Sequence, residues 1–218
     1  MNATGLRNPV LLIHGIWDTR IIFDSMRSHL TQQGWSVYDL NMTPNNGDGK
    51  LEHLAAQVAD YIDGTFAPGT PLDIVGYSMG GIVSRYYIQR MGGAQRVQRF
   101  ITLSSPHNGT WVAYGSLRPG CIQMRPNSPL LKDLNRDVTT LEQLNFTSIW
   151  TPLDMMIVPA SSSQMPVGKD VRVWVPAHRH MVTDPRSLWA VAEALTEPVA
   201  VRNYGLTEAR SPIAVNSR

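Results

Sequence analysis

Short apolar runs and helix-period stripes alternate along most of the chain. Val10-Leu11-Leu12-Ile13 is continuously apolar and ends at His14-Gly15, as expected of a strand buried on both faces. From Ile21 to Gln33, Phe23, Met26 and Leu30 recur at helical spacing, and Gly34 supplies a stop. Trp35 to Leu40 alternates as a strand. Leu51 to Phe66 carries Leu51, Leu54, Ala55, Val58 and Ile62 on one helical stripe. A further apolar run, Leu72 to Val75, precedes a helical pattern over Gly81 to Met91. Arg99 to Leu103, Phe146 to Trp150 and Val171 to Val175 read as three more strands, and Pro185 to Leu195 as a closing helix with proline in its first turn. This alternation predicts an α/β fold with a mostly parallel central sheet and helices on both faces.

Two stretches interrupt it. Thr110 to Asn145 is long, rich in Gly and Pro at first, with a short helix expected over Ser128 to Asn135. Long connections inside compact domains usually have a function, so 110–145 is either a cap-like or lid-like insertion over a site or a surface excursion. Residues 197–218 carry two prolines and weak periodicity, which predicts an irregular tail. With 218 residues and 43% hydrophobic content, one domain over 1–218 is the simplest organisation.

Charge narrows the function classes. A net charge of +2 from scattered basic residues gives no case for nucleic acid. Cys121 is the only cysteine, so no internal disulfide ties the fold to an oxidising compartment. The first seven residues hold no extended apolar region, so a cytoplasmic location is expected, although a mature secreted form would read the same. No apolar run reaches the ~20 residues that span a bilayer. A transient contact with a lipid interface stays open, and a monomer is expected.

The chemistry centres on Gly76-Tyr77-Ser78-Met79-Gly80, a G-x-S-x-G sequence between the strand ending at Val75 and the helix that follows. Such a serine sits on a sharp, strained turn at a helix N-terminus, with glycines where side chains would collide with the neighbouring strand or helix. In the serine-nucleophile order, an acid follows a later strand and a histidine follows the last one. Asp154 lies in the turn after Phe146 to Trp150. Asp133 and Asp137 fall in the interruption, and Asp170 precedes the last strand at the wrong edge. His178 and His180 both follow that strand; His178 is nearer and preferred as base, and His180 is the alternative. His14-Gly15-Ile16-Trp17 after the first strand would supply an oxyanion donor, the N–H of Ile16, with that of Met79 as the second. The His14 imidazole is read as a brace for this loop. Gly47-Asp48-Gly49-Lys50 lacks the strand and the Ser/Thr of a phosphate loop and reads as a turn. A His-x-His pair without a third ligand motif gives no metal site, and no cofactor is expected.

These segments together resemble the small bacterial triacylglycerol lipases of the lipase A type, minimal α/β-hydrolases. The likeness runs through Val10 to Ile16, Val75 to Gly81, Tyr86-Tyr87-Ile88, Thr147 to Trp150, Asp154 to Val158 and Val171 to His178. It implies Ser78, Asp154 and His178 as a catalytic triad that cleaves acyl or lipid esters through an acyl-enzyme. The 110–145 interruption is longer than the corresponding loop of lipase A. Trp17, Trp111, Met155 and Met181, with Ile16 and Met156, are the apolar candidates for a substrate-binding wall. An acyltransferase with the same triad, or a non-catalytic lipid-binding module on this scaffold, are the rival readings.

Overall fold

The computed structural model describes residues 7–199. Six strands form one sheet: β1 (Val10–Ile13), β2 (Val37–Asp39), β3 (Leu72–Tyr77), β4 (Val97–Leu103), β5 (Asn145–Trp150) and β6 (Lys169–Arg172). Their order is β2-β1-β3-β4-β5-β6, and every neighbouring pair is parallel. Apolar strands suit this arrangement because both faces are covered. Leu11 and Ile13 of β1 join one core cluster, whereas Val10 and Leu12 join the other. The period-two alternation of a strand thus feeds two cores from one run of four residues.

Helices α1 (Asp24–Gln32), α2 (Leu51–Thr65), α3 (Met79–Arg90), α4 (Pro119–Gln123), α5 (Pro129–Arg136) and α6 (Pro185–Thr196) cover the sheet. The predicted stripe of α2 is buried with Ile82 and Val83 of α3 on one face. Met26 and Leu30 of α1 pack with Leu188, Val191 and Leu195 of α6 on the other. The layers therefore follow directly from which apolar stripe each helix carries.

Several boundaries differ from expectation. The helix expected from Ile21 begins as a 3₁₀ turn over Arg20–Phe23 and becomes α-helical at Asp24. Trp35 lies outside β2 and donates its N–H to Leu30 O, closing the end of α1. The last strand runs over Lys169–Arg172 rather than Val171 to Val175. Its ladder to β5 ends at Arg172 opposite Trp150; one more bond, Val173 N–H to Trp150 O, follows before the chain departs. An edge strand needs pairing on one side only, so the exposed Lys169 and Asp170 are tolerated where a central strand would require apolar residues. In the expected irregular tail, residues 200–218 lie outside the described residues.

The 110–145 interruption contains two 3₁₀ turns (Trp111–Gly115 and Val138–Gln143) flanking α4 and α5. Ser128 caps α5 by accepting the Leu131 N–H. Polar bonds fasten the interruption to the main helices. Gln123 accepts the Leu51 N–H and donates to Glu52, while Gln89 donates to the carbonyls of Leu134 and Asp137. Arg90 pairs with Asp133 and Asp137 at 2.8 Å each.

Topology decides where these parts meet. From β1 the chain crosses outward to β2, then returns past β1 to β3 and proceeds the other way. The crevice beyond the carboxyl ends of β1 and β3 lies at this reversal, the usual ligand position of open parallel sheets.

Candidate active site

β3 ends at Tyr77 and α3 begins at Met79, leaving Ser78 alone in the turn with φ 52° and ψ −123°. A non-glycine residue there carries strain on the order of 1–3 kcal/mol, held by the packing around it. A β-carbon at Gly76 would fall 2.6 Å from Gly81 Cα, and one at Gly80 would fall 2.2 Å from Ile13 O. The helix can approach the sheet closely enough to close this bend only because neither position has a side chain. The Ser78 N–H donates to Leu103 O at 2.9 Å, which ties the bend to β4.

Asp154 follows β5 and is nearly fully buried. Its Oδ1 accepts the N–H groups of Met156 and Ile157, each at 2.9 Å. Its Oδ2 faces Nδ1 of His178 at 2.7 Å. Burial pushes the Asp154 carboxyl up, but the hydrogen bond and charge of His178 and the two amides outweigh it and hold the group below the ordinary carboxylate range. An ionised Asp154 requires a proton on Nδ1, so Nε2 of a neutral His178 is left as an acceptor. Tyr77 packs its ring 5.0 Å from the His178 ring and donates its hydroxyl to the His178 carbonyl at 3.3 Å. His180 lies two residues on, exposed, beside a separate groove with Ile21 and Ser25. The structure thus brings His178, not His180, against Asp154.

The loop after β1 is braced from behind. His14 is fully buried; its Nε2 accepts the Met42 N–H at 2.9 Å, so Nδ1 carries the proton and donates to Gly15 O at 2.8 Å. Burial lowers its pKa, in keeping with this neutral tautomer. Trp17, at φ 60°, donates its N–H to Asn45 O at 2.7 Å. Between them the Ile16 N–H has no acceptor among the described residues. Met79 opens α3, so its N–H has no acceptor within the helix.

Ser78 and His178 both line a cavity of about 430 Å³ whose surface is mostly apolar. No hydrogen bond joins the two side chains among the described residues. Such contacts are often long in unliganded sites and tighten around a substrate. Ile16, Trp17, Met156 and Ile157 form part of the wall; Val112, Ala113, Cys121 and Met124 of the 110–145 interruption form another part.

The four predicted substrate contacts part company here. Trp17 lines the cavity. Trp111 is 60% exposed, outside the lining, and stacks on Tyr114 with centroids 5.3 Å apart. Met155 points away, 79% exposed, while its neighbour Met156 faces the cavity. Met181 must be corrected: it is fully buried in the core with Phe23, Met26 and Leu188. Its segment, the 3₁₀ turn over His178–Val182, lies against α1 and α6, so Met181 fills their shared core instead of the cavity.

Thr110 was not foreseen as part of the site. Its Oγ1 donates to Met156 O at 2.8 Å and accepts the Val158 N–H at 3.0 Å, on either side of Ile157, whose amide is one of the two that hold Asp154. It also accepts the Val112 N–H at 3.3 Å, where the cavity wall begins. Its position at the start of the interruption was visible in the sequence; its reach to the acid loop was not.

A parallel sheet with a strained serine between strand and helix at the switch crevice is the arrangement of the lipase-like α/β-hydrolases. The sequence belongs to the palmitoyl protein thioesterase family, whose pattern matches residues 9–126. A triacylglycerol lipase of Pseudarthrobacter phenanthrenivorans is 31% identical over 117 residues, covering 49% of this chain and 35% of the relative. The chain thus spans about a third of the length of the triacylglycerol lipases it matches. In fold it is similar to Aspergillus fumigatus lipase B, with a TM-score of 0.75 at 18% identity over 88% of this chain and 53% of that one. The mature lipase of Bacillus licheniformis gives 0.71 at 14% identity, covering 88% and 93% respectively.

Proposed function

We propose that the protein hydrolyses acyl esters, oxygen or thio, through Ser78, His178 and Asp154. The observation that carries this reading is the 2.7 Å contact between Asp154 Oδ2 and His178 Nδ1 beside a cavity shared with the elbow serine. His178 Nε2 takes the Ser78 proton as Oγ attacks the acyl carbon, and Asp154 stabilises the imidazolium that forms. The oxyanion is received by the N–H groups of Ile16 and Met79, in a site where fixed donors need no reorganisation. His178 then returns its proton to the leaving alcohol or thiol. Water, deprotonated by the same nitrogen, releases the acyl group from Ser78 and regenerates the enzyme.

The acyl chain lies against the wall built by Val112, Ala113 and Met124. Exposed Trp17, Trp111, Tyr114, Leu117 and Met155 support a transient contact with a lipid surface around the mouth. No described helix is long and apolar enough to cross a membrane.

Labelling by a fluorophosphonate, followed by peptide mass analysis, tests the reading. A single adduct on Ser78, lost in Ser78→Ala together with turnover of 4-nitrophenyl butyrate, is expected. Turnover that survives Ser78→Ala overturns it.

A further inference from the structure

The cavity is lined by a carboxylate, Asp18, that the proposed reaction does not use. Asp18 follows the oxyanion loop, its side chain is 13% exposed, and it lines the cavity with Ser78, Tyr77 and His178. A β-carbon at Gly15 would lie 3.1 Å from Ser78 Cβ and 3.2 Å from Asp18 Oδ2. The carboxylate and the nucleophile are therefore neighbours across a single glycine. Its main chain is fixed, since Asn45 donates to Asp18 O at 2.7 Å.

What is missing around Asp18 matters most. Its carboxylate accepts no hydrogen bond among the described residues. Among the described residues, the nearest cation is Nη1 of Arg179 at 3.9 Å, on a side chain that is 79% exposed. No lysine or arginine among the described residues lines the cavity. Burial raises the Asp18 carboxyl above its ordinary range, opposed by the charges of Arg179, His14 and His178. A carboxylate this enclosed normally finds donors within the protein, because leaving it bare costs free energy. Here the open side faces the space a substrate occupies.

We infer that Asp18 is a specificity determinant, receiving a hydrogen-bond donor or cationic group of the substrate and rejecting anionic ones. Resting on the ester-hydrolase reading, this narrows the substrate class to esters whose groups near the nucleophile are uncharged donors or cations. Free carboxylates, phosphates and the polyanionic carrier of an acyl-coenzyme thioester fall outside it. At a separation of ~6 Å in a partly desolvated site, one unit charge shifts selectivity by about ten- to a hundredfold.

The test uses the full chain with two ester series. On the alcohol side, 4-trimethylammoniophenyl and 4-carboxyphenyl butyrates are compared. On the acyl side, 4-nitrophenyl valerate is compared with the 4-nitrophenyl monoester of glutarate. In each series, kcat/KM for the better-tolerated charge state is divided by that for the anion, so intrinsic reactivity cancels between protein variants. Asp18→Asn is expected to lower this ratio at least tenfold in one series. Arg179→Gln, at an exposed position outside the cavity, is expected to raise it several-fold. A ratio changed by less than twofold in both series by Asp18→Asn overturns the inference while leaving Ser78-dependent turnover in place. Failure of the underlying reading shows separately, as turnover that persists in Ser78→Ala. Labelling rates with cationic and anionic phosphonates give the same ratio independently of deacylation.

Discussion

Replacing Asp154 by Asn keeps the shape of the acid and changes its hydrogen-bonding. In the native protein one carboxylate oxygen accepts two backbone N–H groups at 2.9 Å and the other accepts His178 Nδ1–H at 2.7 Å. An asparagine has only one acceptor oxygen. If that oxygen serves Met156 and Ile157, the new NH₂ group must face Nδ1, which can then only accept. The proton moves to Nε2, so the imidazole presents a donor to Ser78 and cannot remove its proton. Turning the amide over restores the tautomer but sets the NH₂ group against two backbone donors in a buried turn, at a cost of about 2–4 kcal/mol. Either arrangement also loses the negative charge that steadies the imidazolium. By analogy with the serine-protease triad, the combined loss is roughly 10³- to 10⁴-fold in kcat/KM, or about 4–5.5 kcal/mol of transition-state stabilisation. The assay is kcat/KM for 4-nitrophenyl butyrate from pH 6 to 9, with ¹⁵N NMR of the imidazole reporting the tautomer. A well-folded Asp154→Asn variant that loses less than about tenfold, with Nδ1 still protonated, refutes the assigned role.

Two further outcomes follow from groups around the triad. Thr110→Val removes the hydroxyl that joins Met156 O, Val158 N–H and Val112 N–H, so kcat/KM should fall about 10- to 100-fold through a misplaced Asp154; Thr110→Ser should recover most of it, and equal losses in both would point to a packing role. Stability should fall on acidification from pH 7 to pH 5, as followed by urea titration, because His14 and His107 are buried with pKa values lowered by desolvation. The unfolded chain binds protons below about pH 6.5 that these imidazoles refuse when folded, so each contributes a slope of up to about 1.4 kcal/mol per pH unit there; a His107→Gln variant with an unchanged slope would contradict this.

Much of the scaffold was legible because parallel strands leave strong marks. Val10 to Ile13 is apolar at every position, and Leu72 to Val75 at every position but Asp73, a pattern that only a doubly covered strand needs. The α2 stripe appeared intact for the same reason. Boundaries were less clear where tertiary pairing overrode local pattern. Val171 to Val175 looks like the better strand, yet β5 pairs with Lys169 to Arg172 and releases the apolar residues to carry His178. Met181 shows a related failure: sequence proximity to His178 suggested the cavity, whereas the side chain packs into the core with Phe23, Met26 and Leu188.

By itself the sequence determined the layered α/β architecture, the strained serine between strand and helix, and the chain order in which an acid and a histidine could follow. Those properties are local: periodicity, glycine at crowded positions and the placement of turns each act over a few residues. Only the tertiary structure decided that His178 rather than His180 meets Asp154, that Thr110 spans to the acid loop, and that the 110–145 interruption builds a cavity wall. It alone set Asp18 beside Ser78 with no hydrogen-bond donor to its carboxylate among the described residues. These are contacts between segments distant in the chain, and their geometry depends on crossover direction and strand register, which no single segment encodes.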